Sequence, residues 1–415
     1  MNLLSLGQIE KAWSRLRKVV VETPFERNEV LSQRYACNIW LKREDLQAVR
    51  SYKIRGAFNK IKGLSPAQTK NGVVCASAGN HAQGVAYSCR HLGIHGTIFM
   101  PETTPRQKIT QVNFFGSNMV TVITVGDTFD DAQEAAMKFC EENEAVFVHP
   151  FNDETVIQGQ ATVALEVWKA SEEDIDYLIM PIGGGGLSAG MSTVWKELSP
   201  ESTLIGVEPE GAAAMKHCVE IGRVEELAEI DSFTDGAAVK KVGQIPFEII
   251  AKNLDQILTV PEGLICETLL NLYNESAIVA EPAGCLSIAV LEQLKEEIKG
   301  KNVVCVVSGG NNDISRMEEI KERALLYGGL KHYFIVNFPQ RAGALKQFVT
   351  EVLGPSDTIV HFGYTKKNSR SRGPALVGVE LSSPSDFDPL IQRMKELDFF
   401  GDYINDKEEL FQFLV

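Results

Sequence analysis

The chain has no apolar run approaching the ~18 residues a membrane-spanning helix needs. Its opening Met1-Asn2-Leu3-Leu4-Ser5-Leu6 gives way to Gln8-Ile9-Glu10-Lys11, too short and too charged for a secretory segment. Basic residues are in deficit: 41 Lys and Arg face 55 Asp and Glu, a net charge of −14. That balance argues against nucleic acid or an anionic membrane as partner, since both call for a basic surface. The eight cysteines form no C-x-x-C pair and no His-Cys cluster, so a zinc site is not expected. Several lie in apolar segments, where a reduced thiol acts as a small hydrophobe, and a cytoplasmic chain is the expectation. Neither G-x-G-x-x-G nor a Walker loop occurs, which disfavours dinucleotides and nucleoside triphosphates.

What is present is an alternation of apolar strands and amphipathic helices. Val73–Ala76, Thr97–Met100, Met119–Val125, Tyr177–Met180, Leu204–Glu208 and Val303–Val307 read as strands. Phe129, Ala132, Ala136 and Phe139/Cys140 mark a helical stripe between two of them. The pattern predicts an α/β fold, a parallel sheet with helices on both faces and ligands at the carboxyl ends of strands. With 415 residues, 44% of them hydrophobic, there is material for more than one core.

Three of those strands run into small or glycine-rich loops. Gly183-Gly184-Gly185-Gly186-Leu187 joins one of them to a helix-compatible stretch, Ser188 to Leu198. Strand, glycine loop, helix turns backbone N–H groups toward a phosphate, and glycines leave no Cβ in the way. Ser77-Ala78-Gly79-Asn80-His81 repeats the arrangement and suits a substrate carboxylate. Asn80 is placed to donate to a ring oxygen, whereas the His81 side chain reads as structural. Val303–Val307 ends in Ser308-Gly309-Gly310-Asn311-Asn312. Upstream, Ser51-Tyr52-Lys53-Ile54-Arg55-Gly56-Ala57 offers one lysine for Schiff-base chemistry. Desolvation or a neighbouring cation, for which Arg55 is a candidate, would release its free amine. Together these motifs supply what pyridoxal 5′-phosphate requires.

Taken in order, S-Y-K-I-R-G-A, S-A-G-N-H-A-Q-G, G-G-G-G-L and S-G-G-N-N resemble the fold-type II pyridoxal-phosphate enzymes, and among them the biosynthetic threonine dehydratases. Leu41-Lys42-Arg43-Glu44-Asp45 and Ala280-Glu281-Pro282-Ala283-Gly284 extend the likeness. The resemblance implies a two-lobed catalytic domain over residues 1–325, its smaller lobe nested near 45–150. It implies a covalent cofactor on Lys53, phosphate contacts from Gly183, Gly184, Gly185, Gly186 and Leu187, Asn80 on the phenolic oxygen and Ser308 on the pyridine nitrogen. The implied reaction converts L-threonine, and possibly L-serine, to a 2-oxo acid and ammonia. A β-replacement enzyme, a catabolic or serine-preferring dehydratase and a non-catalytic amino-acid sensor are the alternatives. Serine racemases of this superfamily carry a second serine where Ala78 stands, so elimination rather than racemisation is expected. They also bind a divalent ion through paired carboxylates. Here Glu208 is followed by Ala212 and Ala214, so no metal is expected.

From Lys331 onward the pattern changes. His332–Phe338 alternates like a strand, a helix follows to Val352, Thr358–Tyr364 and Ala375–Leu381 read as strands, and Asp386–Leu397 as a second helix. With a final strand this gives a ferredoxin-like α+β module over 331–415. It resembles the ACT-like regulatory domain of threonine dehydratases, except that Ala342 stands where a proline is common. The resemblance implies an isoleucine effector at Arg341, Gly343, Ala344 and Leu345, and a homotetramer. Lys366–Gly373 reads as a solvated hairpin tip.

Overall fold

Val303–Val307 lies inside a six-stranded sheet, flanked by strands from residues 38–43 and 177–181, both far from it in sequence. The order is Phe25–Arg27, Asn38–Arg43, Asn302–Val307, Tyr177–Pro181, Thr203–Pro209 and Gln256–Val260. Only the first pairing is antiparallel. In this computed structural model residues 4–364 and 371–407 are described, and the chain divides into two units, Met1–Asn312 and Asp313–Val415. Helices Glu154–Ala170 and Gly186–Leu198 pack on the larger sheet through Val163, Val167, Met191 and Trp195. Their approach is close: a methyl on Gly190 would stand 2.7 Å from the Ile157 carbonyl oxygen.

Asn38–Arg43 was not among the expected strands, because Lys42 and Arg43 break the apolar signal. Both are buried, and both are paired. Lys42 Nζ reaches Glu166 at 2.8 Å and Arg43 reaches Asp45 at 2.8 Å. A buried charge is tolerated when it is paired and hydrogen-bonded.

A second parallel sheet of four strands, ordered Val120–Thr124, Gly96–Met100, Val73–Ala76 and Val146–Phe147, stands in the same unit. Its strands obey the two-residue period. Val73 and Cys75 face helices Asn80–Leu92 and Arg106–Gly116, while Val74 and Ala76 face helix Phe129–Asn143. The predicted helical stripe is core at Ala132, Ala136 and Cys140, whereas Phe129 is exposed.

The second unit holds an antiparallel sheet ordered Thr358–Tyr364, Arg372–Glu380, Lys331–Pro339 and Phe400–Tyr403. Helix Ala344–Gln347, continued in a wider coil through Phe348–Val352, and helix Phe387–Glu396 cover one face. This βαββαβ order is the ferredoxin-like one. The expected hairpin tip falls largely on residues 365–370, outside the described residues; Arg372 and Gly373 already belong to a strand. Among the described residues, no helix is long and apolar enough to cross a membrane.

Candidate active site

Lys53 opens helix Lys53–Gly63, and its place is set by Ser308 and Gly309. The Tyr52 N–H donates to the Ser308 carbonyl at 3.1 Å, and Ser51 pairs with Gly309 in an isolated antiparallel bridge. The lysine is therefore tied to the end of strand Asn302–Val307. Its Nζ donates to the Pro150 carbonyl at 3.2 Å. Burial lowers its pKa to about 8, against the opposing pull of Glu281. The free amine is thus within reach near neutrality.

Arg55 does not supply the second positive charge expected beside Lys53. It is fully buried and turned to Glu44 and Glu166, at 2.8 and 2.6 Å. Two carboxylates neutralise it, and Lys42 completes the cluster through Glu166. Desolvation, not a neighbouring cation, weakens the Lys53 ammonium. Arg55 instead fixes the helix that carries it.

The glycine loop follows strand Tyr177–Pro181 as predicted. Gly185 has φ +90° and precedes helix Gly186–Leu198. A left-handed residue at a helix start, with the first amides free of intrahelical partners, makes an anion cradle. The loop is hemmed in: a methyl on Gly184 would lie 2.2 Å from the Phe151 ring, and one on Gly183 2.9 Å from Ala237 Cα. Phe151 adjoins Pro150, so the chain that meets Lys53 also lines the loop.

Asn80 is the first residue of helix Asn80–Leu92. Its Nδ2 donates to Glu281 Oε1 at 2.6 Å, and its Oδ1 accepts from Asn311 Nδ2 at 2.6 Å. His81 is buried. Its Nε2 meets the Val148 carbonyl at 2.8 Å, and burial with the nearby Lys53 charge lowers its pKa to about 3. Beside it, a Cβ on Gly79 would meet nothing within 4 Å, so that turn of the loop is open. Ser308 is buried. Its hydroxyl donates to Ala283 at 3.3 Å, long for such a bond and easily exchanged for a better acceptor.

Three contributors were missed by the sequence motifs: Glu281, the Pro150–Phe151 wall, and Ala237 against the loop. Only Glu281 left a signal, inside a stretch quoted for its likeness alone. Glu208, weighed earlier as half of a metal site, caps helix Ala214–Ile221 instead. Its two oxygens accept from the Met215 and Lys216 amides, each at 2.8 Å. In the second unit, Gly343 (φ +82°) precedes helix Ala344–Gln347, and Arg341 folds onto Gln347 at 2.5 Å. Ala344 is buried and Leu345 half-exposed.

One desolvated amine, a glycine cradle at a helix start, an amide and a loosely held hydroxyl fit the groups of pyridoxal phosphate. The buried Ser51 hydroxyl beside Lys53 has no partner among the described residues, which is consistent with a polar group arriving there. Residues 16–309 match the family described as pyridoxal-phosphate dependent enzymes, and residues 322–414 match the C-terminal regulatory domain of threonine dehydratase. Biosynthetic L-threonine dehydratase from Bacillus subtilis is 55% identical over 414 residues, covering 100% of this chain and 98% of that protein. The chain belongs to the biosynthetic threonine dehydratases.

The namesake from Lactococcus lactis is 50% identical over 416 residues, 100% of each chain. Among solved structures, the processed form of threonine deaminase isoform 2 from Solanum lycopersicum matches with TM-score 0.73 and 36% identity, covering 78% of this chain and 90% of that one. Serine racemase from Dictyostelium discoideum matches with TM-score 0.70 and 29% identity, over 75% and 100%. Threonine dehydratases and a racemase thus share the scaffold.

Proposed function

We propose that the protein converts L-threonine to 2-oxobutanoate and ammonia, with pyridoxal phosphate held at Lys53. The observation that carries this is the Lys53 amine, weakened as an acid-bound ammonium by burial and tied to the Ser308 carbonyl through Tyr52. When bound, the cofactor supplies the electron sink that makes a Cα–H bond of an amino acid breakable. Gly183, Gly184, Gly185, Gly186 and Leu187 are the residues to hold its phosphate, Asn80 its ring oxygen and Ser308 its ring nitrogen. Ser308 is a neutral donor, so it does not force a proton onto that nitrogen.

The Ser77-Ala78-Gly79-Asn80-His81 loop receives the substrate carboxylate on its amides and orients the Cα–H toward Lys53. Lys53, as free amine, takes that proton. Over the whole elimination the Cα proton and the β-hydroxyl leave together as water, so Lys53 ends as the free amine it began. Addition of water to the resulting enamine releases ammonia and leaves the 2-oxo acid, so atoms balance. Ala78 carries no exchangeable proton and so cannot supply one to the face opposite Lys53, which supports elimination over racemisation.

The regulatory unit supports an amino-acid effector, which we take to be isoleucine at Arg341, Gly343, Ala344 and Leu345. The same reading holds L-serine as a second substrate and a cytoplasmic homotetramer as the working form. The test is a steady-state assay with threonine alone, then with serine, each with and without isoleucine, beside a sedimentation measurement. The expected outcome is 2-oxobutanoate without any added nucleophile and a lowered rate with isoleucine. Turnover that requires a second nucleophile would make this a β-replacement enzyme.

A further inference from the structure

Glu281 lies against the site with 5% of its surface exposed. Its Oε1 accepts from Asn80 Nδ2 at 2.6 Å, while its own N–H donates to the Gly309 carbonyl at 3.1 Å. A methyl on Gly309 would fall 2.2 Å from Oε1, so the carboxylate is pressed against bare backbone there.

The oxygen of the Asn80 amide meets Asn311, whose backbone amide also bonds the Glu281 carboxyl. Asn311 Nδ2 donates both to Asn80 Oδ1 at 2.6 Å and to the Val49 carbonyl at 2.8 Å. A backbone carbonyl can only accept, so Asn311 must present its NH₂ to Val49. Its second hydrogen then fixes the oxygen of Asn80 on that side, and the NH₂ of Asn80 must face Glu281. Glu281 takes one of its two hydrogens. One remains.

We propose that Glu281 is a positioning residue which, together with Asn311, holds the Asn80 amide in the single orientation that offers its remaining N–H to the ring oxygen of the bound cofactor. The proposal rests on the assignment of Asn80 to that oxygen. Burial and the Asp235 charge raise the Glu281 carboxyl to about 7. Its Oε1 accepts in either protonation state, so the orientation persists across that range.

The test uses full-length Glu281→Ala, Glu281→Gln, Asn311→Ala and Asn80→Ala, each titrated with pyridoxal phosphate. Cofactor affinity, the absorbance maximum of the bound cofactor and the melting temperature are read for each. Glu281→Ala is expected to weaken cofactor binding roughly tenfold and to shift the absorbance in the same direction as Asn80→Ala. Glu281→Gln, which keeps an acceptor, restores both. In the Asn80→Ala background, Glu281→Ala adds little. Wild-type affinity and absorbance in folded Glu281→Ala overturn the proposal, as do losses that add in full to those of Asn80→Ala. Should Glu281→Ala not fold, Asn311→Ala carries the test: a wild-type spectrum there overturns the proposal equally. An Asn80→Ala protein indistinguishable from wild type removes the Asn80 assignment itself, a separate failure.

Discussion

Gly159 faces the Arg55 carbonyl so closely that a methyl group on it would stand 2.5 Å from the oxygen. It would also lie 2.7 Å from the Gly56 Cα, so helices Glu154–Ala170 and Lys53–Gly63 touch backbone to backbone. Lys53 sits at the start of the second of these. Any separation of the pair therefore shifts the helix that carries Lys53.

Gly159→Ala is expected to cost about 1–3 kcal/mol, the range for overpacking a tight interior. Because backbone, not a flexible side chain, is struck, relaxation requires the helices to part. Urea unfolding measures the loss, and cofactor occupancy should fall with it. Gly79→Ala, which meets nothing within 4 Å, is expected to leave the midpoint nearly unchanged.

The Arg55 guanidinium makes five hydrogen bonds, to Glu44, Glu166 and Thr162. Arg55→Ala leaves two carboxylates in the interior without it and should cost about 3–5 kcal/mol. Arg55→Lys keeps the charge but has only three donors on a compact head, so an intermediate loss is expected. Both deficits should persist at high salt, since buried pairs are little screened. Recovery in concentrated salt would contradict the placement.

The Lys53 amine predicts a pH dependence. Its folded pKa, about 8, lies below the ordinary lysine value near 10.5. Incorporation of pyridoxal phosphate into the apoprotein should rise about tenfold per pH unit up to about 8 and then level. An exposed lysine would climb until about 10.4. The sign for stability follows from linkage: between those values the unfolded chain binds the proton more readily, so apoprotein stability rises with pH. Stopped-flow absorbance at several pH values measures the first effect, and denaturation the second.

Lys53→Ala should abolish turnover, by at least about 10³-fold, and the covalent adduct with it. Borohydride reduction followed by peptide mass mapping checks the site. An adduct on a different lysine in the wild-type protein would transfer the role elsewhere.

The strands Val73–Ala76, Tyr177–Pro181 and Asn302–Val307 were legible because apolar runs end in small residues, and those ends mark three walls of the site. Lys42, Arg43 and Arg55 misled for one shared reason. A charged side chain reads as solvated unless its counter-charge is known. Glu166, which meets Lys42 and Arg55, lies more than 100 residues downstream of both, and Asp45 beside Arg43 carries no sign of the pairing in the sequence. Glu281 and Pro150 acquire their positions only through tertiary contact. Asn311 stood within a recognised motif, yet its orienting bond to Val49 has no local signature.

The Tyr52–Ser308 backbone bond fastens the start of the Lys53 helix to the larger sheet. Lys53 and Ser308 meet at a strand end of the larger sheet, while residues 77–81 follow a strand of the smaller. Helix Asn80–Leu92 also presses on the lysine's own backbone, a methyl on Gly84 standing 3.1 Å from the Lys53 carbonyl. A tilt of the smaller sheet would therefore carry the seats of coenzyme and amino acid together, and a change in one is felt by the other.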